Sequence, residues 1–176
     1  SKKYLDINYS LSKFDLASVF IDRTFELMCS NGNIGSITTR ALFFLQTFSR
    51  WRAKCLLEEN FIKYFVDLGG GVLDAMVETA CYVLTSGSEY KSDSYFIRLT
   101  TSLDKNSELK DILLSEKSKS VYQVNPKLFK SITNDPICYW IDDKTQNIFL
   151  SEPSFEIIEG GAKKGDQSKS RLDYMG

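Results

Sequence analysis

The chain has 176 residues, enough for one domain, and its 43% hydrophobic and 13% aromatic content supports a sizeable core and excludes disorder throughout. With a formal net charge of -1 and a sequence pI of about 5.6, any nucleic-acid contact has to come from a local basic patch and not from the global field. Histidine is absent, which excludes Ser-His-Asp and Cys-His catalysis and every His-ligated metal site.

Ser12-Lys13-Phe14-Asp15 has the form of a capping box, and "LASVFIDRTFELMCS" behind it places Leu16, Val19, Phe20 and Leu27 on one helical face. Asn31-Gly32 ends that helix, since glycine accepts the left-handed backbone of a C-terminal cap. "NIGSITT" predicts a short strand. Residues 41–58 predict a second helix with Phe44, Phe48, Trp51 and Cys55 in one stripe. "FIKYFVDL", "ACYVLTS" and "SYFIRLT" read as strands from their β-branched and aromatic content, the last two joined by the polar turn "GSEYKSD".

A helix is expected over 104–115, with i,i+4 charges on its solvent side. Beyond "SEKSKS" the character changes, which divides the chain into 1–117 and 118–176. "VYQVNPKLFKSI" reads as extended, "DPICYWIDDKTQNIF" as a short helix opened by Pro136, and "GGAKKGDQSKS" as a glycine-and-lysine loop. The order predicts an α/β sheet whose late strands pair as a hairpin.

Cys29, Cys55, Cys81 and Cys138 are widely spaced, without a C-x-x-C, and read as free thiols of a reducing cytoplasm. No apolar run approaches ~20 residues, so nothing in the sequence is expected to span a membrane. Both ends look cut, and the chain is expected to be a piece of something longer.

The stretch "YFVDLGGGVLDAMVETACYVL" carries the main chemical question. A cofactor pocket wants an acidic residue at a strand end, glycines that let the backbone approach the ligand, and a second carboxylate about 20 residues on. Asp67, Gly69, Gly71 and Glu89 satisfy that pattern. The intervening residues 72–88 are short for a helix and a strand and read more simply as a loop, a turn of helix and a strand, with the glycines serving a tight turn that needs positive φ.

Four stretches carry a resemblance. "KFDLASVFIDRTFELMCSNGNIGSITTRALFFLQTFSRWRAKCL" resembles the segment after the catalytic motif of adenine-specific DNA methyltransferases, and "YFVDLGGGVLDAMVETACYVL" their next strand, turn and strand. "VYQVNPKLFKSITNDPICYWI" resembles the linker of the BREX phage-defence methyltransferases, the PglX family, and "GGAKKGDQ" their glycine-rich loop where target recognition begins. The resemblance implies the C-terminal half of a class I methyltransferase sheet plus the start of a target-recognition region. The parent enzyme, of a BREX or restriction-modification system, would move a methyl group from S-adenosylmethionine to the exocyclic amine of an adenine flipped out of double-stranded DNA.

The family's Asn-Pro-Pro-Tyr motif and cofactor loop precede the matched segment, and the three prolines here, Pro126, Pro136 and Pro153, are not adjacent. No catalytic residue and no cofactor are therefore expected for this chain alone, which would dock on the remaining methyltransferase domain. Joined tail to head, "DYMG" and "SKKY" nearly restore the family's Asn-Pro-Pro-Tyr-Met-Gly-Ser-Lys run, with Asp173 in place of a proline. Two other readings stay open: a non-catalytic DNA-binding or interaction module left by gene breakage, and a small S-adenosylmethionine-binding enzyme using the Asp67–Gly71 loop.

By the same resemblance, Phe48 falls where related enzymes carry an aromatic that stacks on the flipped base, although its stripe also suits a core. Asp15 matches an acidic residue ahead of a helix, or is simply that helix's cap. Arg40, Arg50, Arg52 and Lys54 around the second helix, and Lys163, Lys164 and Lys169 in the terminal loop, are candidates for phosphate contacts or for a solvated face.

Overall fold

Runs of β-branched and aromatic residues form a mixed sheet of five strands among the described residues: β1 (Asn33–Thr39), β2 (Asn60–Gly69), β3 (Thr79–Ser86), β4 (Ser94–Arg98) and β5 (Val121–Val124). The computed structural model describes residues 2–87, 93–115 and 119–151. Strand order is β1-β3-β2-β4-β5. β3 runs antiparallel to β1 and β2, β5 antiparallel to β4, and the central pair β2–β4 is parallel. The hairpin is thus β2–β3, across the glycine turn, and not the expected pairing of β3 with β4. Both edges of β3 are already taken, by β1 and by β2, so β4 adds to the far edge of β2.

Alternation along each strand divides the core in two. Phe65 and Phe96 join Leu42, Phe43, Trp51 and Tyr139 on one face, while the neighbouring Val66 and Ile97 join Leu68, Leu99 and Ile112 on the other. Burying each such side chain contributes roughly 1.5–3 kcal/mol. Ile112 comes from α5 (Lys105–Ser115), which starts where Asp104 Oδ1 accepts from the Ser107 amide at 3.0 Å.

The N-terminal helices are α1 (Lys2–Asn8) and α2 (Leu16–Leu27). The cap of α2 is Asp15 itself, in an extended conformation, accepting from the Ala17 amide at 2.8 Å. Ser12 makes no capping bond: its hydroxyl is buried without a partner, and its carbonyl accepts from Ser18 Oγ at 2.7 Å. The inward face is also not the expected one. Ser18, Val19 and Ile21 are buried, whereas Leu16, Phe20 and Leu27 are exposed. Polar residues turn this face inward, because the Asp22 carboxylate accepts from Trp51 Nε1 at 2.7 Å and Cys55 Sγ at 3.3 Å.

The predicted second helix is segmented into α3 (Ala41–Phe44), a single tight turn over Gln46–Phe48, α4 (Ser49–Trp51) and wider π-helical turns over Arg52–Glu59. The break at Leu45 is where Arg52 Nη1 takes the carbonyls of Leu42 and Leu45, at 2.9 and 2.7 Å. A guanidinium there satisfies the orphan acceptors of a helix end, so the chain stops without a glycine.

The chain divides into two units, Ser1–Trp140 and Ile141–Gly176. β5 belongs to the sheet of the first, which therefore continues past residue 118. After β5, Asn125 accepts from the Lys127 amide at 3.0 Å and opens a turn of 3-10 helix over Pro126–Ser131. Residues 132–140 then form an irregular strap. No helix starts at Pro136; in the second unit α6 spans Asp143–Ser151, with Asp142 accepting from the Thr145 amide at 2.9 Å. Among the described residues no helix is long and apolar enough to cross a membrane.

Candidate functional site

Open α/β sheets expose chemistry beyond the C-terminal ends of their parallel strands. Here the ends of β2 and β4 set Asp67 and Arg98 side by side in register. Asp67 is fully buried. Its Oδ2 accepts from Arg40 Nη2 at 2.8 Å and from the Tyr139 hydroxyl at 2.9 Å. Arg40, just ahead of α3, also donates from Nη1 to Glu78 Oε2 at 2.7 Å. Its guanidinium carbon lies 4.7 Å from the Phe44 ring centroid.

Burial pushes the Asp67 carboxyl above the usual carboxylate range, against the pull of Arg40 and the Tyr139 hydrogen bond. Burial and the facing Asp67 raise the Tyr139 phenol, so it stays a donor. For Arg40, burial opposes the charge, and the hydrogen bond to Glu78 together with Asp67 outweighs it and raises the guanidinium pKa. Asp67 Oδ1 and Arg40 Nε are buried without hydrogen-bond partners.

The strap delivers Tyr139 and Trp140 to this cluster. Arg52 Nε and Nη2 donate to the carbonyls of Asp135 and Asn134, at 2.9 and 2.7 Å, and the Ile137 amide donates to Phe43 O at 3.0 Å. Tyr139 stacks on Phe96 at 5.2 Å with an interplanar angle of 6°. Trp140 meets Tyr139 edge-on at 4.9 Å and tilts against Phe44 at 5.7 Å. The Arg98 guanidinium lies over the indole, 5.2 Å from its centroid.

The glycine turn beside this cluster has its own geometric reasons. Gly69 has φ +65°, and a Cβ there would sit 3.1 Å from Thr100 Cα. Its carbonyl accepts from Thr79 Oγ1 at 3.3 Å, within the β2–β3 ladder. Gly71, at φ +72°, faces open space. Asp67, the acidic residue at the strand end in the cofactor-pocket pattern, points inward to Arg40 and Tyr139. Glu89, the second carboxylate of that pattern, lies outside the described residues. Among the described residues no group of three or more His, Cys, Asp or Glu could hold a metal ion.

No family model matches the chain. The adenine-specific methyltransferase BrxX of Escherichia coli O9:H4 (strain HS) is 26% identical to it over 178 residues, which cover 99% of this chain and 14% of that protein. Among solved structures, a cryo-EM structure of a DrdV–DNA complex matches 80% of this chain and 15% of that chain, with a TM-score of 0.49 and 13% identity. The chain thus corresponds to a small fraction of the length of either.

The other sequence candidates are dispersed. Phe48 is 5% exposed, in the core with its ring edge against Phe14; it presents no face to a base. Arg52 is buried with all its guanidinium nitrogens given to carbonyls, so it is a structural clamp and not a phosphate contact. Arg40 is tied to Asp67 and Glu78. Arg50 is exposed, and Lys54 is exposed with Glu59 at 3.7 Å. Lys163 and Lys164 lie outside the described residues. Sequence reasoning passed over Arg98, Tyr139 and Trp140. The available signal was an arginine closing a strand and an aromatic pair inside "ICYWI".

Proposed function

We propose that this chain is a segment of an adenine-specific DNA methyltransferase of a phage-defence system. Its part is to complete the catalytic sheet and pass the polypeptide to a DNA-recognition region. The observation that carries this reading is the 26% identity to BrxX, spread over 99% of the chain. The mixed sheet, with a parallel central pair and an antiparallel hairpin, is compatible with it.

In such an enzyme S-adenosylmethionine supplies the methyl group. The acceptor is the exocyclic amine of an adenine rotated out of the stack, since that amine is shielded inside a duplex. No step of the transfer falls to residues of this chain. Their role is positional: the Asp67–Arg40–Tyr139 cluster and the Arg52 clamp hold the strap against the C-terminal edge of β2 and β4, a placement that orientation-dependent chemistry requires.

The test is a longer protein. Expressed through an in-frame upstream Asn-Pro-Pro-Tyr, it is expected to transfer tritiated methyl from S-adenosylmethionine to duplex DNA and to yield N6-methyladenine. The 176-residue chain alone is expected to give no heat with S-adenosylmethionine in calorimetry. Micromolar binding by this chain, or a longer protein that makes no N6-methyladenine, overturns the reading.

A further inference from the structure

Trp140 is the feature of the sheet edge that packing explains least. Of the two tryptophans, Trp51 is 1% exposed and hydrogen-bonded, whereas Trp140 is 36% exposed at the end of a strap fixed from both sides. Burying an indole is worth far more than leaving it half in water, and the ring partners of this one among the described residues are Phe44, Tyr139 and the Arg98 guanidinium. Arg98 is exposed and ion-pairs with no carboxylate among the described residues. One oxygen of the adjacent Asp67 is buried without a donor. A rigidly held indole and an exposed guanidinium lying over it thus meet where the parallel strands end.

We propose that Trp140 and Arg98 form a binding platform for an unpaired DNA nucleobase and its flanking phosphate. An indole offers a π face to any base, and a guanidinium can stack on the base or take a phosphate oxygen in a fork that lysine cannot reproduce. The platform rests on the DNA-directed reading above and moves the aromatic contact expected at Phe48 to a residue that solvent reaches. Tyr139 acts as a positioning residue: its hydroxyl on Asp67 and its ring on Phe96 fix the backbone from which Trp140 projects.

The probe is a short single-stranded oligodeoxynucleotide with one 2-aminopurine, titrated with the 176-residue chain and followed by anisotropy and 2-aminopurine emission. Saturable binding with quenched emission is expected. Trp140→Ala is expected to weaken it roughly 5- to 150-fold, and Trp140→Phe to stay within about threefold of the parent chain. Arg98→Ala, a change at an exposed side chain, is expected to reduce the slope of log affinity against log salt by about 0.7.

Unchanged affinity of a folded Trp140→Ala chain overturns the platform. So does an unchanged salt slope for Arg98→Ala, which decides the matter if the Trp140 variant does not fold. Methylation is not a readout in this experiment, so failure of the methyltransferase reading and failure of the platform give different results.

Discussion

A carboxylate drawn out of water at a strand end must be neutralised or hydrogen-bonded, and Asp67 is met by a guanidinium and a phenol on the same oxygen. Tyr139→Phe keeps the ring on Phe96 and removes one donor. Its expected cost is about 1.5–3 kcal/mol, the range for hydrogen bonds to charged groups, seen as a lower urea midpoint with unchanged m. Arg52 is the more demanding case, since four carbonyls depend on it. Burial lowers its pKa to about 10, still far above neutrality, so the clamp is charged at physiological pH. Arg52→Lys swaps a planar fork for a single ammonium. It is expected to destabilise by at least about 3 kcal/mol in the same denaturation experiment.

The elements differ in how openly the sequence announces them. Strands β1 to β4 are legible because their signal is local: β-branched and aromatic runs bounded by turn residues. The inward face of α2 is not, because the half-buried Asp22 turns inward only by meeting Trp51 and Cys55, 29 and 33 positions away. The break after α3 depends likewise on Arg52 reaching back to carbonyls it caps. Asp67 and Gly69 stand out in the sequence, yet their roles are settled by Arg40, Tyr139 and Thr100, which no local pattern connects to them.

The glycine turn makes these differences measurable. Gly69→Ala adds a Cβ against Thr100 Cα at positive φ and is expected to cost about 1–3 kcal/mol, whereas Gly70→Ala, with open space around it, should stay within about 0.5 kcal/mol. Thermal melts of the two variants compare them directly. At α5, hydrogen bonds from the Ser107 amide and hydroxyl hold the Asp104 carboxyl below its ordinary range. A depressed folded pKa gives stability that is present above the unfolded value, about 3.9, and is lost as pH falls through the folded value. Amide protection along α5 is therefore expected to drop below that pH, and Asp104→Asn to flatten the dependence, as read by hydrogen exchange.

At the scale of the molecule, apolar surface is left uncovered on the N-terminal helices α1 and α2. Leu16, Phe20 and Leu27 are 59%, 68% and 71% exposed, and Ile7 on α1 is 69% exposed. Surface of this kind drives association. Sedimentation of the chain is expected to show concentration-dependent self-association, and Phe20→Lys to reduce it while the melting temperature stays within about 2 °C. A large fall in melting temperature would instead place Phe20 in a packed interface.

The Arg52 clamp has a last consequence, for the order in which the chain can become itself. Its acceptors on Asn134 and Asp135 lie 82 and 83 positions downstream. On a ribosome the helical layer emerges first and carries a guanidinium into an apolar interior with half its partners still unmade. Closing so long a loop costs little more than closing a shorter one, but it cannot be hurried. Until the strap is synthesised, two of the four carbonyl acceptors of Arg52 do not exist, and the segment that presents Trp140 is also the one that supplies them.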